Sequence, residues 1–243
     1  MSLLPDFLRR PQAAPTLAIG ERVLPIEIRR LATARRLTLR LAPDGSAVRV
    51  TIPHWAPTRE ALAFVHSRAD WLEIQLGSLP AAAPLVPGGT LPWRGTPHLV
   101  HLRTDLKRGV RLAEGALVVG GPAESLAPRL RRWIHAEARA LFTLDLAHYA
   151  PRAGVAVPAL GLSNARRRWG SCAADRTIRL NWRLAMAPDA VRRSVVAHEV
   201  AHLVHFDHSP RFHALLANLF EDDIAAANRW LKQHGRSLYA PLG

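Results

Sequence analysis

Apolar residues alternate with polar ones through three early segments, residues 22–30 (RVLPIEIRR), 36–41 (RLTLRL) and 47–52 (AVRVTI). A period of two marks strands with one buried face. Pro43-Asp44-Gly45-Ser46 between the last two has strong turn chemistry, so those two segments are expected to form a hairpin. The period then lengthens. Pro57-Thr58 opens a helix in which Leu62, Phe64, Val65, Trp71, Leu72 and Leu76 fall largely at helical spacings. Residues 77–90, with LPAAAPLVPGG at their centre, read as a Pro/Ala/Gly linker. Short strands resume around residues 99–103 and 111–119.

Residues 124–149 place Leu126, Leu130, Trp133, Ile134, Ala138, Leu141 and Leu144 along one side of a long amphipathic helix, which Pro151 and Gly154 close. Residues 160–168 and 177–184 look like two strands joined by a loop at 170–176. Helical spacing dominates from Pro188 onward, with breaks near residues 207–210, at Glu221 and at Gly235. There is no internal repeat and no long low-complexity tract. The expected class is α+β: a β-rich N-terminal lobe with one helix over residues 1–120, then an α+β lobe over residues 121–243.

A chain of 243 residues with 49% apolar side chains can bury one large core or two small ones, which sets wholesale disorder aside. Its formal charge of +14 fits either a solvated surface or a polyanion partner, and charge alone does not choose. Only Lys107 and Lys232 are lysine; the rest of the excess is arginine, clustered at Arg29–Arg30, Arg35–Arg36, Arg131–Arg132 and Arg166 to Arg168. Cys172 is the one cysteine, which rules out an intramolecular disulfide and suits a reducing compartment. The opening MSLLPDFLRR does not read as a secretory signal, because Pro5 and Asp6 break its apolar run and the arginines follow it. No stretch of about 18 apolar residues exists. A cytoplasmic protein with no membrane partner is expected.

Chemistry concentrates in residues 192–213, RRSVVAHEVAHLVHFDHSPRFH. His198 and His202 stand one helical turn apart on one face, so their imidazoles can fill two positions around a zinc ion. Glu199 is rotated by about 100° from His198 and suits a bound water better than the ion itself. A catalytic zinc needs a third protein ligand and one open position. His205 shares the face but lies about 7–8 Å along a straight helix from the pair's midpoint, too far to coordinate. His208 sits in turn-forming composition, Asp207 before it and Pro210 after it, and is the favoured third ligand; His213 and Glu221 remain as alternatives. A bare His-Glu-x-x-His also arises by chance. Here an apolar surround (Val195, Val196, Val200, Ala201, Leu203) would bury the glutamate, and a buried charge needs a partner such as a metal.

Three segments in order then become recognisable: Arg168-Trp169-Gly170-Ser171-Cys172; residues 178–184, IRLNWRL; and His198-Glu199-Val200-Ala201-His202-Leu203 with His208-Ser209. Together they resemble the YgjP-like family of metallopeptidase-type proteins, relatives of the SprT-like zincins. Arg35-Arg36-Leu37-Thr38-Leu39-Arg40, Asp44-Gly45 and Val48-Arg49-Val50 are similar to that family's basic leading hairpin. The resemblance spans most of residues 27–232. It implies a zincin-type C-terminal lobe with an active-site helix and a small sheet, zinc held by His198, His202 and His208, and Glu199 as base and acid. Asp207 stands where the family has Asn, and His213 where it has Trp. Metzincins are set aside, since His205 occupies their required Gly and no methionine follows Met186.

The expected function is therefore zinc-dependent amide hydrolysis of a protein or peptide, with Glu199 moving the proton of the attacking water. The edge of the 177–184 strand is expected to pair with an extended substrate. Two other partners stay open: a nucleotide, whose phosphoanhydride a metal and arginine clamp would hydrolyse, and DNA, near which the site would act on bound proteins. Cys172 reads as a small buried thiol, with metal ligation or redox sensing as the alternative. Trp169 and Trp182 read as core, and Asn181 and Arg183 as a polar strand face lining the cleft.

Overall fold

The structure is a computed structural model that describes residues 14–42, 45–77 and 85–242. Most of the opening segment, Pro43-Asp44 of the expected turn and residues 78–84 of the expected linker lie outside the described residues. The chain divides into two compact units, residues 1–80 and 81–243.

The first unit holds β1 (Thr16–Ile19), β2 (Arg22–Leu31), β3 (Thr38–Leu41) and β4 (Val48–Pro53) in one sheet of order β1-β2-β4-β3. β3 and β4 pair antiparallel, Thr38 opposite Thr51 and Leu41 opposite Val48, as the hairpin reading expects. β2 runs parallel to β4, and this long-range pairing is invisible to local pattern. Val48, Val50 and Ile52 are fully buried against Leu17, Leu24, Ala61, Val65 and Leu72. The single expected helix is two, α1 (Thr58–His66) and α2 (Ala69–Gly77). Ser67 makes the break: its hydroxyl donates to the Phe64 carbonyl at 2.9 Å, a side-chain bond that competes with continued helix.

The second unit begins well before the boundary expected near residue 120. β5 (Thr90–Trp93), β6 (Thr96–Arg103), β7 (Gly109–Ala113) and β8 (Ala116–Gly120) form a sheet of order β5-β6-β8-β7. The strand expected over 111–119 is thus folded in two. Glu114 and Gly115 both take positive φ, 51° and 73°, the backbone of a tight two-residue hairpin turn. Leu91, Val100, Leu117 and Val119 share one core with Leu130, Ile134 and Ala138 of α3 (Leu126–Arg152), so this sheet belongs to the C-terminal unit.

A third sheet combines β9 (Leu160–Ser163), β10 (Gly170–Cys172) and β11 (Ile178–Asn181) in the order β10-β11-β9. β11 is central, antiparallel to β10 and parallel to β9, so it has no free edge for a substrate; the loop expected at 170–176 supplies the edge strand instead. β11 ends at Asn181, whose side chain accepts the Arg183 N–H at 3.1 Å and starts a short 3₁₀ turn, Trp182–Met186. Asn181 and Arg183 are buried, contrary to the cleft-lining expectation. Arg183 lies between the Trp182 and Tyr239 rings at 4.1 and 4.5 Å and donates to Asn164 at 2.6 Å. The remaining α-helices among the described residues are α4 (Asp189–His202), α5 (Pro210–Leu219) and α6 (Ile224–His234), with breaks where the sequence places them.

Candidate metal centre

α4 carries the site because its own sequence buries one side: Val191, Val195, Val196, Val200 and Ala201 lie in the core. Its root is fixed to α3 by Arg192, which donates to both Asp145 carboxylate oxygens at 2.7 and 3.2 Å. Helical geometry stops at His202, where the Leu203 N–H bonds the Val200 carbonyl at 3.0 Å. Asp207 then accepts the Ser209 N–H at 3.4 Å, and the Ser209 hydroxyl accepts the Phe212 N–H at 3.4 Å to cap α5, with Pro210 in its first turn. That reversal returns His208 to the helical pair.

His198 Nε2 lies 3.2 Å from His202 Nε2 and 3.3 Å from His208 Nε2. One nitrogen from each of the three rings falls within 4.8 Å of the others. Four ligands at ~2.0–2.1 Å on a tetrahedron stand ~3.3–3.4 Å apart, so the spacing suits one small cation. The fully buried Phe212 ring packs under all three imidazoles, 5.0, 4.5 and 4.8 Å from the His198, His202 and His208 centroids. His202 Nδ1 lies 3.0 Å from the His205 carbonyl. Donation along that contact puts the proton on Nδ1 and the lone pair on Nε2, where a metal would need it. Burial, and then the neighbouring imidazoles, push His198 down to about 4, and burial lowers His202, so both rings are neutral donors at neutral pH. The donor set and its spacing fit zinc.

Glu199 is 6% exposed. Burial pushes its carboxyl up to about 7, against the opposing pull of Arg168 and of the Cys172 main-chain N–H. The carboxylate rests against Gly170 on β10, where a Cβ would meet Oε1 at 2.4 Å. Spacing along the chain gives no sign of this contact; a glycine between Trp169 and Ser171 is the only trace of it in the sequence.

The other expected groups sit elsewhere. The His213 ring is 6.3 Å from that of His208 and is not in the three-histidine cluster. Glu221 is committed to His148, Tyr149, Arg152 and Arg193 at 2.7, 3.0, 2.6 and 3.2 Å. The Cys172 thiol is half-buried and outside the cluster, and burial raises it, with Glu199 adding to the effect. Trp182 is core, and Trp169 packs at the core's edge beside Tyr239, its ring 2.8 Å from where a Cβ of Gly235 would be. No described helix is long and apolar enough to cross a membrane.

A family model described as YgjP-like, metallopeptidase domain, matches residues 35–234, from the approach to β3 through the end of α6. No curated protein and no solved structure matches the chain.

Proposed function

The chain belongs to the YgjP-like metallopeptidase family, and on that premise we propose that it is a zinc peptidase, with His198, His202 and His208 holding the metal and Glu199 as general base. One observation carries this reading: the Nε2 atoms of His202 and His208 stand 3.2 and 3.3 Å from that of His198. Unprotonated nitrogens at that separation repel one another unless a proton or a cation lies between them. Three protein ligands leave one tetrahedral position for a reacting oxygen, which separates a catalytic site from a closed structural one. Zinc, when bound there, supplies an acidified water and polarises the scissile carbonyl.

The chain's own groups do the proton work. Glu199 takes a proton from the attacking water and returns it to the leaving amine. A carboxyl held near 7 by burial can do both at neutral pH. Gly170 and the Cys172 N–H fix where that carboxylate stands. β10 is the edge strand beside it, where an extended peptide would pair with main chain, which accounts for amide substrates without demanding a particular side chain.

The test compares purified wild type and Glu199→Gln for metal content, for cleavage of unfolded casein-type substrate and for nucleoside triphosphate hydrolysis. The expected result is one zinc per chain in both proteins and peptide cleavage by wild type alone. Turnover retained by Glu199→Gln overturns the base, and turnover confined to the triphosphate overturns the substrate class.

A further inference from the structure

The N-terminal unit carries a second group of chemically active side chains, far in sequence from the histidines. β2 and β4 run parallel and β3 runs back between the same ends, with Leu31 opposite Pro53 and Thr38 opposite Thr51. The segments at residues 32–37 and 54–57 therefore leave from one end of the sheet. The first carries Arg35 and Arg36; the second carries His54 and Trp55. Trp55 is 67% exposed, an unusual state for the largest apolar side chain.

Trp55 is also held in place. The Arg30 guanidinium donates to the His54 carbonyl at 3.4 Å, to the Ala56 carbonyl, and to the Thr58 hydroxyl at 2.8 Å. It grips the main chain on both sides of the tryptophan and leaves the indole outside. The adjoining solvent face of the sheet is built in rows, Arg29–Thr51–Thr38 and Glu27–Arg49–Arg40, with the valines and isoleucine of β4 on the opposite, buried face. Arg49 is neutralised by Glu27 at 2.6 Å. Arg29, Arg35, Arg36 and Arg40 are exposed and make no hydrogen bond or ion pair with any described residue.

We propose that this end of the N-terminal sheet binds single-stranded nucleic acid, with a base stacked on Trp55 and phosphates met by Arg29, Arg35, Arg36 and Arg40. A solvated face needs charge but no braced, outward tryptophan. An anionic membrane would favour an amphipathic helix with several apolar residues, where this sheet end offers one ring among arginines. Single strands use this combination, since every base has a π face and every nucleotide a phosphate. The arginine fork matches phosphate and is never deprotonated.

The experiment titrates the full chain into a labelled oligothymidylate and an oligouridylate, following anisotropy over a range of salt. Binding should weaken linearly with the logarithm of salt. Trp55→Ala should weaken it by about tenfold, the loss of one stacked base, and each arginine-to-alanine change should lower the salt slope by about one. Trp55→Ala should keep wild-type peptidase activity and thermal stability. Absence of binding at low salt overturns the proposal. So does binding indifferent to Trp55→Ala and to all four arginine changes, a Trp55→Ala protein that unfolds like a core mutant, or Trp55-dependent binding to phosphatidylserine vesicles without binding to either oligonucleotide. None of these outcomes bears on the histidine site.

Discussion

The Glu199 carboxylate occupies the space that a side chain at Gly170 would fill: a Cβ there would stand 2.4 Å from Oε1, 2.6 Å from Cγ and 2.7 Å from Cδ. Contacts below about 3 Å affect the whole end of the glutamate, so rotating one oxygen away does not relieve them. The proposed base is thus placed by two elements. α4 supplies it one residue after His198, and β10 supplies the wall it rests on.

Gly170→Ala should therefore separate metal binding from catalysis. The three atoms nearest a Cβ at Gly170 all belong to Glu199, so zinc content should match wild type. The carboxylate must shift by roughly an ångström, and a displacement of that size can lower kcat by about a hundredfold. KM should change little. Metal analysis beside steady-state peptide kinetics checks this, and loss of zinc with the alanine would show that Gly170 serves the fold of the site instead.

In the proposed site His208 is the ligand outside the helix, so His208→Ala would leave two imidazoles on α4 and remove the chelate across the bend. Zinc should fall far below one per chain. Ligand binding stabilises a fold by RT ln(1 + [L]/Kd), about 4 kcal/mol when zinc is at a thousand times its Kd. A chelator should then lower the wild-type Tm by roughly 10 °C at 2–4 °C per kcal/mol. Calorimetry with and without chelator checks this, and the His208→Ala protein should show no such shift.

The sequence displays the histidine helix, the bend after it and the hairpin of β3 and β4, because each is written in neighbouring residues: the pair at His198 and His202, Asp207 with Pro210, and alternation on both sides of Gly45. What it hides depends on distant partners. The 90–120 segment alternates like the first strands, and only its burial against Leu130 and Ile134 assigns it to the second unit. β10 is three residues long, too short for a period to show, yet it is the wall of the site. Arg183 reads as part of a polar strand face lining the cleft until Trp182 and Tyr239 enclose it. His205 contributes through its carbonyl, which every residue has.

Glu221 makes stability depend on pH in a defined window. Desolvation works to raise its carboxyl, but His148, a main-chain N–H, Tyr149 and Arg193 outweigh it and hold the group at about 2, against an ordinary 4.5. A depressed carboxyl contributes stability above its unfolded pKa and loses it as pH falls through the folded one. Glu221→Gln should cost about 1 kcal/mol at pH 7, modest because the group is partly solvated. The Tm gap to wild type should close between pH 4.5 and 2. Thermal melts across that range check it, and a gap independent of pH would show that the charge is not what the network uses.

The strongest stability effect is expected at the root of the metal helix. Arg192 and Asp145 form a two-pronged pair at 2.7 and 3.2 Å, with side chains only 4% and 8% exposed. Removing one charge from a buried pair costs about 3–5 kcal/mol, and Arg192 would keep only its second partner, the partly exposed Asp189. Asp145→Asn keeps the shape and deletes the charge, so its Tm should fall by roughly 10 °C or more. Arg94 offers the contrast: it pairs with Asp189 at the same end of α4, but its side chain is 51% exposed, and water screens such a pair to less than about 1 kcal/mol. Arg94→Ala should melt within about 4 °C of wild type. Below their melting points both variants should keep zinc, because the pair fixes α4 to α3 while the ligand spacing is set by the helix and its bend. Equal losses in the two variants would show that solvent reaches Arg192 as readily as Arg94.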